Sequence, residues 1–296
     1  MTTFDDFDAW ADAVSGASLQ LACDGVERRR WTIGIVDLRG VTLQVASEGG
    51  GNLCYGASTH PGTTLFVPLT HARAHVANGE PLDDGSLLAI PRGADFRIRV
   101  HRQAHAWCSI ALPDDMLNSA SSTKIACGVA AVARLRRLAT RTVEALLDQP
   151  GGSPAHKAAA REVIAAAAAC LKPPPERPVS VGRPRLERTD IVRRAMQAIE
   201  AGPAVPTAAD LARDVGVTSR TLLRTFQESF GVPPKRYLML RELHSVRRSL
   251  IAGRAREQAV ADVLVRHGIW EFGRFAARYR RQFGELPSET LRRGRG

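Results

Sequence analysis

The same helix-turn-helix pattern occurs twice in the last third of this chain, at residues 207–230 and 260–283. In each copy an apolar-patterned helix is followed by a turn glycine, Gly216 or Gly268, and then by a second helix. The second helix carries large apolar residues four positions apart, namely Leu222, Phe226 and Phe230 in the first copy and Phe275, Tyr279 and Phe283 in the second. Two such units in tandem predict two helices that each enter a stretch of DNA groove.

The charge distribution supports the same interpretation independently. Residues 1–175 contain 17 Lys and Arg against 17 Asp and Glu, whereas residues 176–296 contain 24 against 13. The net charge of +11 therefore lies entirely in the part with the repeat. A basic excess predicts tight, salt-sensitive binding to double-stranded DNA, because cationic side chains displace the counterions condensed on its phosphates.

Length, cysteines and hydropathy narrow the class of protein. A chain of 296 residues favours two domains. Its five cysteines are widely spaced and include no C-x-x-C pair, so we expect neither a disulfide framework nor a zinc site. The acidic N-terminus, with Phe4, Phe7, Ala11 and Val14 on one predicted helical face, is not typical of a signal peptide, and no run approaches the roughly 20 apolar residues that span a bilayer. We therefore expect a cytoplasmic protein without a membrane partner.

Short apolar runs cut by turn residues fill the first part of the chain, over residues 36–113. Within this part Phe96, Ile98 and Val100 alternate with polar residues, which predicts a strand. Several short strands at this spacing are typical of a small antiparallel barrel or sandwich.

Two helices are predicted after these strands, over residues 123–149 and 154–171. The first has an apolar seam of Val132, Leu135, Leu138, Thr142 and Leu146. Such a helix pair can cover a sheet or join two subunits.

A proline-rich basic segment, residues 172–188, separates the strand-rich part from the repeat. Its five prolines and few apolar residues predict an extended linker. The predicted domains are thus residues 1–171 and 189–296, and the second contains only helical patterns. Its expected helix N-caps are Thr189 or Asp190, Thr207 and Thr218, and a long helix is expected to begin at Pro233 and Pro234 and to end at Gly253.

The second helix of the first copy has a polar, cationic face opposite its apolar stripe. Arginine can donate two hydrogen bonds to guanine O6 and N7, and Arg220 and Arg224 are one turn apart, so both can reach one major groove. The residues predicted to contact DNA here are Ser219, Arg220, Thr221, Leu223, Arg224 and Gln227.

The segment from Thr189 to Arg293 resembles the DNA-binding domain of the AraC/XylS family of transcription regulators. The family signature, G-F-x-x-x-x-x-F-x-x-x-F-[KR]-x-x-x-G-x-x-P-x-x-[YF]-R, is met at Gly268, Phe275, Arg280, Gly284 and Pro287, and Tyr279 supplies an aromatic residue, though not Phe, at the remaining position of the recognition helix. The first copy resembles the family's first helix-turn-helix through Leu211, Ala212, Val217, Leu222, Arg224, Phe226, Gly231, Pro234, Tyr237, Arg241 and Leu243. The resemblance implies a seven-helix domain whose two recognition helices enter successive major-groove segments. It also implies a regulator that is more often an activator, with RNA polymerase as a partner.

The second copy departs from the signature. Ile269 replaces the usual Phe, the pair Thr290-Leu291 replaces the closing aromatic-arginine pair, and Gly273 and Ala277 occupy the positions of Arg220 and Arg224. We therefore expect the first recognition helix to read bases and the second mainly to anchor the protein on phosphates. The residues assigned to DNA contact in the second copy are Glu271, Phe272, Gly273, Arg274, Ala277, Arg278 and Arg280.

For the first domain, the resemblance implies a cupin-like barrel with flanking helices that binds a small-molecule effector or forms a homodimer. The whole chain is then an α+β protein, with this cupin-like small barrel or sandwich followed by an all-α domain with two helix-turn-helix units. Five histidines are interpreted as surface or pocket-edge residues because no downstream Glu completes a metal-ligand pattern: His60, His71, His75, His101 and His105. Burial is the expected role of each cysteine, and no cofactor, metal or catalytic residue is predicted.

Two other functions stay open on the sequence alone. A barrel with histidines is compatible with a metal-dependent cupin-type enzyme fused to a DNA-binding tail, although no phosphate-binding loop, nucleophile elbow or paired-carboxylate motif is present. An architectural DNA-binding protein would explain the basic domain but has no need of a near-neutral first part of 175 residues. Metal analysis would test the first alternative, and competition with non-specific DNA would test the second.

Overall fold

The computed structural model describes residues 1–24, 31–49, 51–100, 104–114, 116–117, 120–171, 188–201, 205–252 and 259–293. Contacts divide these residues into two compact units, one with residues 1–21 and 31–171 and the other with residues 22–24 and 188–293. Within the described ranges no helix is both long and apolar enough to cross a bilayer. The predicted linker, residues 172–188, lies outside the described residues except for Arg188, where a helix begins.

Strands dominate the first unit. Their bounds are β1 (Thr2–Phe4), β2 (Ala17–Cys23), β3 (Trp31–Asp37), β4 (Thr42–Glu48), β5 (Asn52–Ser58), β6 (Thr64–Pro68), β7 (His75–Ala77), β8 (Glu80–Pro81), β9 (Ser86–Ile90), β10 (Asp95–Val100), β11 (His105–Ala111) and β12 (Thr123–Ala126). They form a seven-stranded sheet in the order β1-β3-β4-β11-β6-β9-β12 and a five-stranded sheet in the order β2-β5-β10-β7-β8. The described pairings are antiparallel.

The predicted α+β organisation, with strands first and helices last, is confirmed. Of the predicted cupin-like barrel or sandwich, the described residues form two antiparallel sheets and no closed barrel, and the cupin-like type is not confirmed. In the described residues each sheet has two end strands, β1 and β12 in one and β2 and β8 in the other, so neither sheet closes on itself. Membership of a sheet depends on pairings between distant segments, such as β11 with β4. Alternation within single strands cannot reveal those pairings.

Strand β10 has the predicted alternation. Phe96, Ile98 and Val100 line a cavity. Because successive side chains of a strand point to opposite faces, Arg97 and Arg99 lie on the other face of the sheet. The strand predicted for this segment is therefore confirmed over Asp95–Val100.

Three helices complete the first unit: α1 (Phe7–Ala13), α2 (Val129–Leu146) and α3 (Pro154–Cys170). The Asp6 side chain caps α1 by accepting a hydrogen bond from the Ala9 N–H at 3.0 Å. The predicted helical face that began at Phe4 is wrong, because Phe4 pairs with Trp31 between β1 and β3. The predicted start of a helix at residue 123 is also wrong, because residues 123–126 pair with β9 as an edge strand.

The seam predicted on α2 is confirmed as a packing surface. Val132, Leu135, Thr142 and Leu146 are buried, and Leu138 packs beside them half-buried. Their hydrophobic cluster also contains residues of the seven-stranded sheet and of α3, including Leu43, Ile110 and Val163. The helix pair therefore covers a sheet, one of the two roles predicted for it.

Seven helices make up the described residues of the second unit beyond residue 187. They are α4 (Arg188–Ala201), α5 (Ala208–Val215), α6 (Ser219–Phe230), α7 (Pro234–Ala252), α8 (Val260–Arg266), α9 (Phe272–Phe283) and α10 (Pro287–Arg292). The long helix α7 begins at Pro234 as expected, while Gly253, its predicted end, lies outside the described residues. The predicted cap of α4 is wrong, because Thr189 and Asp190 lie inside its first turn.

Candidate nucleic-acid interface

Helices α5 and α6 form the first helix-turn-helix. The hydroxyls of Thr207 and Thr218 accept hydrogen bonds from the backbone N–H groups of Asp210 (3.2 Å) and Thr221 (3.1 Å), which confirms both predicted caps. Between the helices Gly216 has φ +75°, in the left-handed region. A Cβ at Gly216 would have open space around it, so the need for glycine is conformational rather than steric.

The inner face of α6 is held by an aromatic cluster. Leu222, Phe226 and Phe230 are buried, as predicted. The rings of Phe226 and Phe230 lie 5.5 Å and 4.8 Å from the ring of Tyr237 on α7, measured between centroids. Because each ring packs against the other two, the cluster fixes the rotation of α6 about its own axis and hence which residues face outward.

The outer face of α6 carries the predicted DNA-contact residues. All six are exposed: Ser219, Arg220, Thr221, Leu223, Arg224 and Gln227. The Arg224 Nε donates to Glu228 Oε1 at 2.8 Å, and this hydrogen bond is the main reason that the pKa of Glu228 is lowered. Arg220 has no ion pair with the described residues, so its guanidinium is available to a ligand.

Helices α8 and α9 form the second helix-turn-helix, with Gly268 at φ +71° in the turn. Phe275 and Tyr279 are fully buried, as expected, and Phe283 is half-buried. The Tyr279 hydroxyl lies 2.8 Å from the Thr290 hydroxyl. Two departures from the family signature, Tyr279 for Phe and Thr290 for an aromatic residue, are therefore coupled, because each hydroxyl gives the other a buried hydrogen-bond partner.

The outer face of α9 begins with apolar groups. Phe272 is 40 % exposed, and Gly273 and Ala277 are also exposed, so the first two turns offer no side-chain donor at those positions. Trp270 precedes the helix and is 73 % exposed, although the sequence did not place it in the DNA contact. Its signal in the sequence was a large aromatic residue in a turn, outside the apolar stripe of either helix.

The arginines of α9 differ in whether their guanidinium groups are engaged in ion pairs. Two of the predicted contact residues are engaged in ion pairs, Arg274 with Glu271 (3.0 Å) and Arg278 with Glu242 of α7 (3.7 Å). Arg280 and Arg281 are exposed and have no ion pair with described residues. The cationic groups most available on this helix therefore lie in its last turn, away from the end that leads into the groove in helix-turn-helix proteins.

A second candidate site is a cavity of about 230 Å³ inside the first unit, which the sequence did not predict. At its polar part, Glu48 of β4 and His105 of β11 are cross-strand neighbours, and the His105 Nε2 lies 3.5 Å from the Glu48 Oε2. The Asn52 Nδ2 donates to the Glu48 Oε2 at 2.6 Å, and the Trp107 Nε1 donates to the Glu48 Oε1. The carboxylate of Glu48 is thus fixed in position by groups from two other strands, β5 and β11.

The histidines occupy two kinds of position. His60 lines the cavity and His71 is exposed, as expected of pocket-edge or surface residues. His105 also lines the cavity but is buried, and so is His75, whose ring centroid lies 4.9 Å from that of His105. Burial, followed by the electrostatic effect of His105, lowers the pKa of His75 to about 3. His101 lies outside the described residues. No group of three or more His, Cys, Asp or Glu residues within the described ranges is arranged to hold a metal ion.

The cysteines are free thiols, four of them buried and Cys127 half-buried. Burial raises the pKa of the Cys108 thiol to about 12, so it stays protonated at neutral pH. The Cys127 thiol donates to the Cys170 carbonyl at 3.3 Å. Packing is therefore the role that the structure supports for Cys108, as predicted.

Comparison with known proteins locates the relationship in the second unit. Residues 211–293 match the family model described as a helix-turn-helix domain. The chain is 39 % identical over 103 residues to the probable thc operon regulatory protein of Rhodococcus erythropolis, which covers 34 % of this chain and 31 % of that protein. It is 32 % identical over 110 residues to the XylDLEGF operon transcriptional activator 2 of Pseudomonas putida, which covers 37 % of this chain and 67 % of that protein.

One solved structure is similar to part of this chain. It is a probable AraC family transcriptional regulator from Rhodopseudomonas palustris, 33 % identical, with a TM-score of 0.33 over 36 % of this chain and 99 % of that one. The matching segment of this chain spans about a third of the length of the first of the curated relatives. Through this segment, with its two helix-turn-helix units, the chain belongs to the AraC/XylS family of transcription regulators.

Proposed function

We propose that this chain is a sequence-specific DNA-binding transcription regulator that acts as an activator and responds to a small-molecule effector. The observation that carries the proposal is the exposed face of α6, where Arg220 and Arg224 stand one turn apart within a tandem helix-turn-helix. The basic excess confined to residues 176–296 supports double-stranded DNA as the partner.

Each part of the chain has its own function in this proposal. Residues 189–296 bind the major groove, residues 172–188 act as a linker, and residues 1–171 bind the effector and form a homodimer. The cavity in the two-sheet unit supports effector binding there, and the order of strands and helices supports a sensor of the cupin-like type. The relatives named above are regulators, so we propose a non-enzymatic role in the cytoplasm with RNA polymerase as the partner of activation.

In this proposal α6 reads bases through its two arginines. Arg220 is already available, whereas Arg224 must leave the carboxylate of Glu228 to reach a guanine. An exposed ion pair of this kind contributes little, so the exchange costs little. A guanine offers two acceptors, O6 and N7, to one guanidinium. Arg224 would therefore exchange its one hydrogen bond to Glu228 for two to the base.

Replacing Arg224 by alanine is expected to weaken binding to a natural operator by about 10- to 100-fold, with a smaller loss on random DNA. The matched control is Arg213→Ala, because Arg213 is exposed, ion-paired with Asp210, and carried by α5 rather than by the recognition helix. Arg213→Ala should weaken binding only slightly, and by the same factor on operator and random DNA. Fluorescence anisotropy at fixed salt measures the affinities of the unmodified chain and both variants for the two DNAs. Equal losses for Arg224→Ala on operator and random DNA would show a phosphate contact and favour the architectural alternative.

Helix α9 is assigned to anchoring. Its exposed positions Phe272, Gly273 and Ala277 have no donors for base edges, and its most available cations are Arg280 and Arg281. Phosphate contacts position a protein without specifying sequence, although Phe272 can still touch a thymine methyl group.

A base-by-base substitution scan of a natural site tests this division between the two helices. We expect changes under α6 to weaken binding by roughly 10-fold or more per base pair, and changes one helical turn away to weaken it much less. Ala277→Arg supplies the missing donor and should tighten binding overall. Equal stringency in both segments, with Ala277→Arg abolishing binding, would show that α9 reads sequence through apolar contacts.

A further inference from the structure

The cavity of the first unit has a distinctive charge. Its described lining residues include no Lys and no Arg, and they include one carboxylate, that of Glu48. The side chain of Glu48 is 3 % exposed, so water does little to screen its charge. An anionic ligand would meet this carboxylate, and no described lining residue carries a permanent positive charge that would offset it.

The neighbouring titratable groups do not reverse this conclusion. His105 lies 3.5 Å from Glu48, so its protonation would at most make the pair neutral. His75, packed against His105, is uncharged at neutral pH because burial lowers its pKa to about 3. His60 lies 2.7 Å from the Leu112 carbonyl oxygen, to which its Nε2–H can donate, so this nitrogen is already engaged.

The thiol of Cys54, which also lines this cavity, shows how unfavourable a negative charge is there. Its pKa is raised, first by burial and second by the negative charge of Glu48. A thiolate at Cys54 is therefore disfavoured by the same carboxylate that an anionic ligand would face.

The free hydrogen-bond acceptor and the aromatic lining of the cavity favour a cation, as its charge does. Asn52 uses its Nδ2 on Glu48, and its buried Oδ1 has no partner among the described residues, so an acceptor is left over. The aromatic side chains of Trp10, Phe66 and Trp107 line the same cavity, with Trp107 5.7 Å from Phe66 and 6.4 Å from Trp10 between ring centroids. Aromatic faces attract cations, and more strongly where water is excluded.

We propose that this cavity binds a small organic ammonium ion, with Glu48 as its counter-ion, Asn52 Oδ1 as a second acceptor, and Trp10, Phe66 and Trp107 as aromatic walls. A dry cavity of about 150 Å³ holds a benzene molecule, so about 230 Å³ accommodates a ring or branched alkyl group with a short aminoalkyl arm. The inference deepens the proposed function, on which it rests for its regulatory meaning, by naming the chemical class of the effector.

Isothermal titration of the full chain at about pH 8, where histidines of ordinary pKa are neutral, tests the proposal with three ligands of nearly equal size. These are 2-phenylethylamine (a cation), 2-phenylethanol (neutral) and phenylacetate (an anion). We expect the amine to bind about 30-fold more tightly than the alcohol, and phenylacetate to give no binding heat. Phenylacetate or the alcohol binding as tightly as the amine would overturn the proposal, and so would a lack of binding by all three.

Glu48→Gln keeps the size of the side chain and a hydrogen-bond acceptor while it removes the charge. It should abolish the preference for the amine over the alcohol, whereas the matched change Glu80→Gln, at an exposed carboxylate of the same unit, should leave it unchanged. A retained preference in a folded Glu48→Gln variant would refute the counter-ion role. If that variant does not fold, the three-ligand comparison on the unmodified chain still decides.

The two proposals fail separately, because DNA binding by the same preparation is measured by anisotropy. Salt-sensitive DNA binding without amine binding would reject only the ligand class. Amine binding by a chain that does not bind DNA would reject only the regulator.

Discussion

Raising the salt concentration from about 50 mM to about 200 mM is expected to weaken binding of this chain to duplex DNA by about 10³-fold. The reason is the charge asymmetry, since the whole net charge of +11 lies in residues 176–296, and exposed arginines occur on both recognition helices. A protein that contacts about six phosphates releases a comparable number of counterions, which gives a loss of this size. Anisotropy titrations at several salt concentrations give the slope directly.

Two arginine variants show which cations produce that slope. Arg280→Gln should reduce its magnitude by about one, because Arg280 is exposed in the last turn of α9 and has no ion pair with described residues. Arg92→Gln removes the same charge from an exposed position of the first unit and should leave the slope unchanged. A slope near zero, or equal slopes for the two variants, would contradict the assignment of DNA binding to the second unit.

The second unit was largely predictable because its determinants are local. Thr207 and Thr218 cap helices by bonding N–H groups three residues away, and Gly216 takes its left-handed conformation within one turn. The apolar stripe of α6 has the period of a helix, so its buried face could be read from spacing alone. The hydrogen bond between Tyr279 and Thr290 could not, since the sequence shows only two separate departures from a signature.

The first unit was less predictable because its determinants are distant. Residues 123–126 have no local feature that excludes a helix, and only pairing with β9 makes them a strand. The choice between the predicted barrel and sandwich was open for the same reason, since the strand order is set by pairings such as β11 with β4 and β6.

The polar part of the cavity could not be predicted either, because it also depends on pairing between distant segments. Glu48 and His105 become neighbours only through the register of β4 against β11. His105 belongs to a pair of histidines four positions apart, but no residue near Glu48 in the sequence marks it as part of a site, because its partners lie on other strands.

Phe226→Ala is expected to lower the free energy of unfolding of the second unit by about 3–5 kcal/mol. Phe226 is 0 % exposed and its ring packs against Phe230 and Tyr237, so the change removes burial and leaves a cavity between α6 and α7. Against a total of roughly 5–15 kcal/mol for a typical domain, such a loss unfolds a marginally stable unit. Specific DNA binding should be lost as well, because the aromatic cluster sets which face of α6 points outward.

Phe272→Ala is the matched control for this change. Phe272 is the same residue type at the start of the other recognition helix, but it is 40 % exposed, so its removal should change stability by no more than about 0.5 kcal/mol. Urea unfolding of the full chain followed by far-ultraviolet circular dichroism compares the two variants. If Phe226→Ala were as mild as Phe272→Ala, the aromatic cluster would not be what holds α6, and the outward position of Arg220 and Arg224 would need another cause. If Phe272→Ala alone abolished operator binding in a fully stable chain, the apolar start of α9 would be a reading surface rather than an anchor.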